Sequence, residues 1–153
     1  MATEVYMPWE CTLKIGTNGV NSTDEQMEVI SDFTSVSHST SYEKDEWYAM
    51  PNNGKKTSIV ISKEDALDVQ YKVVKNDSAG RYLVEVATIK TGSDAMTRVI
   101  FIDPYGFKFD GSATVEISDK TFEGNKVPDL KAKLTFSGAY TVTDTTKTEV
   151  EGA

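Results

Sequence analysis

The chain has one cysteine, one histidine and four prolines in 153 residues, and it has no long apolar run. Each scarcity removes a class of answer. A lone Cys11 excludes an internal disulfide, so the fold has to be held by a core. Cys11 alternates with Trp9, Leu13 and Ile15, and this spacing predicts a buried, inert thiol on a strand. A lone His38 in a Ser/Thr-rich segment leaves a histidine-based triad without local partners, and a zinc site would have to recruit Cys11 and carboxylates. His38 is therefore read as structural or solvent-exposed. No stretch approaches the ~18 apolar residues of a membrane-spanning helix. No basic segment followed by an apolar one opens the chain, so no signal peptide and no membrane partner are expected. With one cysteine, this points to synthesis in a reducing cytosol.

Further absences bear on chemistry. No Gly-rich loop ends in Lys-Ser or Lys-Thr, the phosphate-cradling signature. The segment from Asp103 to Glu116 fails the calcium-loop pattern. Glu43, Asp45 and Glu46 cluster around Lys44, and two neighbouring acids can hydrolyse glycosides. A solvated charge patch is the favoured reading of that cluster. No catalytic residues, cofactor or metal are expected. Basic residues are also scarce: 16 Lys and Arg against 24 Asp and Glu give a net charge of −8. That balance opposes wrapping the outside of nucleic acid, which needs Lys and Arg on one face. It is compatible with a surface past which DNA slides.

What is present is strand chemistry. Trp9–Ile15 reads as a first strand after an N-terminal arm (1–8) that Pro8 stops. Gly16–Gly19 is a turn. Met27–Ser37 reads as a strand, followed by a polar excursion over 38–46 that suits a channel lining or an arm awaiting another subunit. Trp47 and Tyr48 fit a half-buried strand. Asn52-Asn53-Gly54 supplies positive-φ turn residues, and Thr57–Ile61 is the most β-prone run. Ser62 is positioned to cap a helix, with Glu64 and Asp65 at its positive end and Ala66, Val69 and Val73 on one side. This predicts a helix over 63–75 ended by Asn76–Gly80. Tyr82, Val84, Val86 and Thr88 then alternate as a strand. Arg98–Ile102 reads as a buried strand and Asp103-Pro104-Tyr105-Gly106 as a turn. Ala113–Ser118 alternates, and Leu130, Ala132, Leu134 and Phe136 against Lys131, Lys133 and Thr135 make the cleanest two-faced strand. Gly138 is read as a bulge, with Tyr140–Val142 continuing the strand. The charged tail 144–153 is expected to be mobile.

The sum is a mainly β, single-domain chain: an antiparallel β-sandwich or barrel of seven to nine strands with one flanking helix. The order of pieces resembles the major tail (tail tube) proteins of long-tailed bacteriophages, with related tubes in contractile tails, tailocins and type VI secretion. The pieces are the Ser-rich strand and loop Asp32–Tyr42, the pair Trp47-Tyr48, the turn and strand Gly54–Ser62, a helix, Arg81–Lys90 and the closing strand Leu130–Val142. The resemblance implies a structural protein of the virion, made in the host bacterial cytoplasm. It would form hexameric rings that stack with other tail proteins into a conduit through which DNA passes transiently. It implies lumen-facing acids, for which Asp32, Glu43, Asp45, Glu46 and Glu85 are candidates. It also implies inter-ring loops, for which His38, Ser39, Thr40, Ser41, Tyr42, Asn52, Asn53 and Gly54 are candidates. The polarity of 38–56 itself predicts an arm that orders only on assembly, because it lacks the apolar area to offset ordering entropy. The competing reading is a β-sandwich binding module for carbohydrate or a cell surface, with Trp9, Trp47 and Tyr48 as stacking platforms, unless these are core aromatics.

Overall fold

The computed structural model describes residues 5–30, 33–72 and 74–146. Its strands are β1 (Thr12–Gly16), β2 (Met27–Val29), β3 (Phe33–Tyr48), β4 (Lys56–Lys72), β5 (Met96–Ile102), β6 (Phe107–Thr121), β7 (Asp129–Phe136) and β8 (Thr141–Asp144). One α-helix, α1 (Ser78–Ile89), lies between β4 and β5. All pairings are antiparallel, in the order β2-β1-β5-β6-β7-β4-β3, with β8 on the start of β6. The expected mainly β architecture with one helix holds, but the sheet stays open. Its end strands β2 and β3 do not pair with each other.

Period-two alternation decides which face is buried. In β7, Leu130, Ala132, Leu134 and Phe136 are buried, while Lys131 and Lys133 are exposed. Through the register, Leu134 lies beside Leu67 and Val115, so one apolar face runs across β4, β7 and β6. The same core takes in Leu13 and Ile15 of β1 and Val99 and Phe101 of β5. The helix covers this face with Ala79, Leu83 and Val86, spaced by four and three residues. Tyr71 of β4 is fully buried, and its hydroxyl donates to the Gly80 carbonyl at 3.0 Å. A Cβ on Gly80 would meet the Tyr71 ring at 3.0 Å, so glycine allows the helix to sit this close.

The helix is not where the sequence reading places it. Residues 63–72 continue β4, because Asp65, Leu67, Val69 and Tyr71 face inward at strand spacing. The Ser62 cap signal loses to this alternation and to the β-prone run before it. The helix begins where the reading ends one. Asp77 caps it, its Oδ1 accepting from the Gly80 N–H at 3.1 Å. The β-branched residues of Arg81–Lys90 favour a strand locally. Packing of Leu83 and Val86 into the core overrides that preference.

Smaller corrections follow the same logic. Trp9 sits in a short 3-10 turn, Pro8–Glu10, and is 75% exposed; the first strand starts at Thr12. Cys11 is partly rather than fully buried, and burial still pushes its thiol pKa up. Met27–Ser37 is not one strand, since β2 ends at Val29 and β3 begins at Phe33. Gly138 has φ +78° in the turn between β7 and β8, where it bends the chain rather than bulging a strand. Gly106 donates its N–H to the Asp103 carbonyl at 3.0 Å, closing the predicted turn. The described part of the tail is tied to that turn: the Thr145 N–H donates to the Gly106 carbonyl at 2.8 Å. Residues 1–4, Val73 and 147–153 lie outside the described residues, so parts of the arm, helix and tail readings fall there.

Candidate assembly surfaces

The polar segment read as an excursion over 38–46 is strand. From Phe33 to Tyr48 it pairs with β4, with register shifts after Phe33 and Glu43. At the root of this hairpin β4 also pairs with β7, and the last such pair is Ala66 with Thr135. Beyond it, residues 41–64 form a two-stranded ribbon with no third strand among the described residues. Such a ribbon can be polar on both faces because each strand satisfies the other's inner hydrogen-bonding edge and water takes the rest. It is also marginally stable alone. At the tip, Asn53 (φ +55°) and Gly54 (φ +76°) take the left-handed conformations that their residue types favour.

The ribbon concentrates apolar surface in water. Tyr42, Trp47, Tyr48, Met50, Ile59, Val60 and Ile61 are all exposed, Met50 by 90%. The outer edge of β3 has no strand partner among the described residues. A sixteen-residue open edge is a template for pairing with another chain. Trp47 and Tyr48 are neighbours on one strand and project to opposite faces. Trp9 lies on a different element, so the aromatics do not share one stacking platform, and none of the three is a core residue.

A buried polar hub sits where the ribbon leaves the sheet. The Asp65 side chain is 7% exposed. Its Oδ1 accepts from Thr40 Oγ1 at 2.7 Å and from His38 Nε2 at 2.9 Å, and its Oδ2 accepts from the Tyr140 hydroxyl. Burial pulls the Asp65 pKa upward, but the hydrogen bonds from Tyr140, Thr40 and His38 outweigh it and hold the carboxyl below its ordinary value. Burial and the hydrogen bond to Asp65 push Tyr140 up to about 12. Tyr140 stacks on Phe136 at 5.1 Å and lies over Gly111, where an added Cβ would come within 2.3 Å of the Tyr140 Cβ. The His38 ring meets Phe109 edge-on at 4.7 Å. His38 and Thr40 thus belong to the arm's root, Ser39, Ser41 and Tyr42 lie along β3, and Asn52, Asn53 and Gly54 form the tip. Sequence reasoning missed Asp65 as a hub. The available signal was an acid in phase with Leu67, Val69 and Tyr71.

The sheet face opposite α1 is polar. Register places Ser37, Asp68, Lys133 and Glu116 in one row across four strands, and Ser35, Gln70, Lys131 and Asp119 in the next. Glu43, Asp45 and Glu64 extend this face onto the ribbon. Its acids outnumber Lys131 and Lys133, while Lys72 and Asp129 pair with each other at 2.8 Å. Of the lumen candidates, Glu43 and Asp45 share this face. Glu46 alternates to the other face, where it pairs with Lys56 at 2.6 Å. Glu85 lies on α1, and Asp32 lies outside the described residues. Among the described residues no group of His, Cys, Asp and Glu is placed to hold a metal ion, and no helix is long and apolar enough to cross a membrane.

No protein-family model matches the sequence, and no curated protein matches it. Solved structures do. The SPP1 tail tube superposes with a TM-score of 0.66 at 12% identity, over 92% of this chain and 80% of that one. The tail of an empty gene transfer agent particle, refined with C6 symmetry, gives 0.62 at 13% identity, over 93% and 99%. The sheath/tube terminator of an extracellular contractile injection system gives 0.59 at 13% identity, over 93% and 99%. The chain therefore has the fold of tail tube proteins.

Proposed function

We propose that this chain is a structural tail tube protein that assembles into six-membered rings, and that the rings stack with other tail proteins into a conduit for DNA in a virion. The observation that carries this reading is the ribbon of residues 41–64, which exposes apolar side chains and an open strand edge without a partner among the described residues. A free monomer gains nothing from such an arm, whereas a ring or stack buries it. The C6 symmetry of one tail with this fold supports six copies per ring. The chain works as one tube unit, with a scaffolding rather than a catalytic role.

The polar face opposite α1 is the wall that faces the channel in this proposal. Its Ser and Thr side chains and its excess of acids keep it hydrated. DNA carries about one negative charge per 1.7 Å of axis, and a basic wall would bind it by counterion release. Glu43 and Asp45 keep their proposed lumen role, joined by Glu64, Asp68, Glu116 and Asp119. Glu46 and Glu85 do not share this face.

Negative-stain microscopy of the protein over a concentration series tests the reading. Rings and tubes are expected. A variant in which a two-residue Asn-Gly turn joins Ser41 to Glu64 should remain folded by circular dichroism and form no tubes. Monodisperse monomers at every concentration would overturn the proposal. Assembled tubes should release double-stranded DNA at low salt, and the double variant Asp68→Lys, Glu116→Lys should retain it.

A further inference from the structure

A second feature of the molecule matches the arm's tip. The open ends of the sheet, β2 and β3, leave a groove of about 830 Å³ between them. Its walls are largely apolar, from Val29, Ile30, Phe33, Val36, Phe101 and Tyr105, with Trp9 and Cys11 at one side. Among the described residues, the one fixed charge in its lining is Asp103, and no Lys or Arg lines it. Glu10 and Glu28 are sequence neighbours of the lining residues.

The tip has the opposite character. Residues 47–56 carry Trp47, Tyr48 and Met50 together with Lys55 and Lys56, and they contain no acid. The tip is the basic end of a chain whose net charge is −8. It cannot reach the groove of its own chain. Both lie along β3, the groove at Phe33–His38 and the tip beyond Tyr48. At ~3.3 Å per strand residue, the dozen residues from Val36 to Tyr48 hold them about 40 Å apart. Resting on the tube reading above, we propose that the tip of one copy seats in the β2/β3 groove of a second copy, Met50 and its aromatic neighbours filling the apolar walls and Lys55 meeting Asp103, while Lys56 stays paired with Glu46 within the ribbon. The occupant is a second copy of this chain because its charge and apolar content complement the groove and the chain's own geometry forbids self-docking. The Asp65 hub then has a purpose: it fixes the direction in which the arm leaves the sheet.

The groove contains the chain's only cysteine, which makes the contact testable. Met50→Cys should form an intermolecular disulfide with Cys11 under mild oxidation at alkaline pH, which favours the thiolate of a thiol whose pKa burial raises. The link requires Cα atoms within about 7 Å. In a Cys11→Ser background, Met50→Cys with Trp9→Cys at the groove's exposed mouth is the second pair. Both pairs should cross-link at least tenfold more than the exposed control Glu123→Cys. Lys55→Glu should raise the concentration needed for assembly at least tenfold, and Asp103→Lys should restore it in part. Tubes without either linkage would overturn the docking and leave the tube reading standing. Linkage without tubes would support the docking and overturn the tube reading. Neither tubes nor linkage would overturn both.

Discussion

The hairpin formed by β3 and β4 contains two regions built from the same two strands with opposite economies. At its root, residues 66–71 pair on both sides and carry Leu67, Val69 and Tyr71 into the core. In its outer half, residues 41–48 and 56–64 pair, among the described residues, only with each other and bury almost nothing. Backbone pairing runs through both apart from the irregularities after Phe33 in the root and after Glu43 in the outer half. The difference shows that β-ladder hydrogen bonds fix the shape of a ribbon, whereas apolar burial supplies most of the stability. It also locates function. The half that the monomer does not need is the half available to a partner.

The sharpest way to break this comparison is a matched truncation. Leu67→Ala in the root should cost about 3–4 kcal/mol through lost transfer energy and a cavity. Ile59→Ala in the outer half should stay within about 0.5 kcal/mol in the monomer. Urea unfolding of the two variants measures both. A cost at Ile59 close to that at Leu67 would mean that the outer half is held by a packed surface within the monomer.

Asp65 divides the two regions, and its removal is the next largest effect. Asp65→Ala strands the donors of Thr40, His38 and Tyr140 and should cost about 2–3 kcal/mol. Because the folded state holds this carboxyl below its ordinary pKa, its stabilising contribution is present above the unfolded pKa. It is lost as pH falls through the folded value. Wild type should therefore lose more stability than Asp65→Asn as pH is lowered below about 4, the ordinary range of a carboxylate. Hydrogen exchange should show faster exchange in residues 41–64 of the Asp65→Ala variant, with the core of β7 little changed. An unchanged arm would show that the hub stabilises without orienting.

The smallest effect concerns the helix. Asp77→Ala removes the cap bond to Gly80 and should cost about 1 kcal/mol, spread over the helix start and leaving the arm untouched. Thermal unfolding reads the cost. Exchange in the arm that rises with it would tie α1 to the ribbon and blur the division drawn here.

Several features were legible in the residues because they are local. Alternation in Leu130–Phe136 dictated a two-faced strand, Asp103–Gly106 a turn, and Asn53-Gly54 a left-handed tip, since each depends on neighbours within a few positions. The composition dictated an acidic, disulfide-free chain whose stability rests on a core. Only the tertiary structure decided where the helix lies. Ser62–Asp65 and Asn76–Gly80 both offer capping chemistry, and pairing of β4 with β7 chose between them. It also decided that a serine-rich segment is an ordered strand, because its partner is distant in sequence: His38 pairs with Leu67. The gathering of His38, Thr40 and Tyr140 around Asp65 has the same origin: hydrogen bonds between residues up to 75 positions apart leave no trace in local spacing. Which acids share the polar face was likewise set by register across four strands, a property of the sheet and not of any one of its strands.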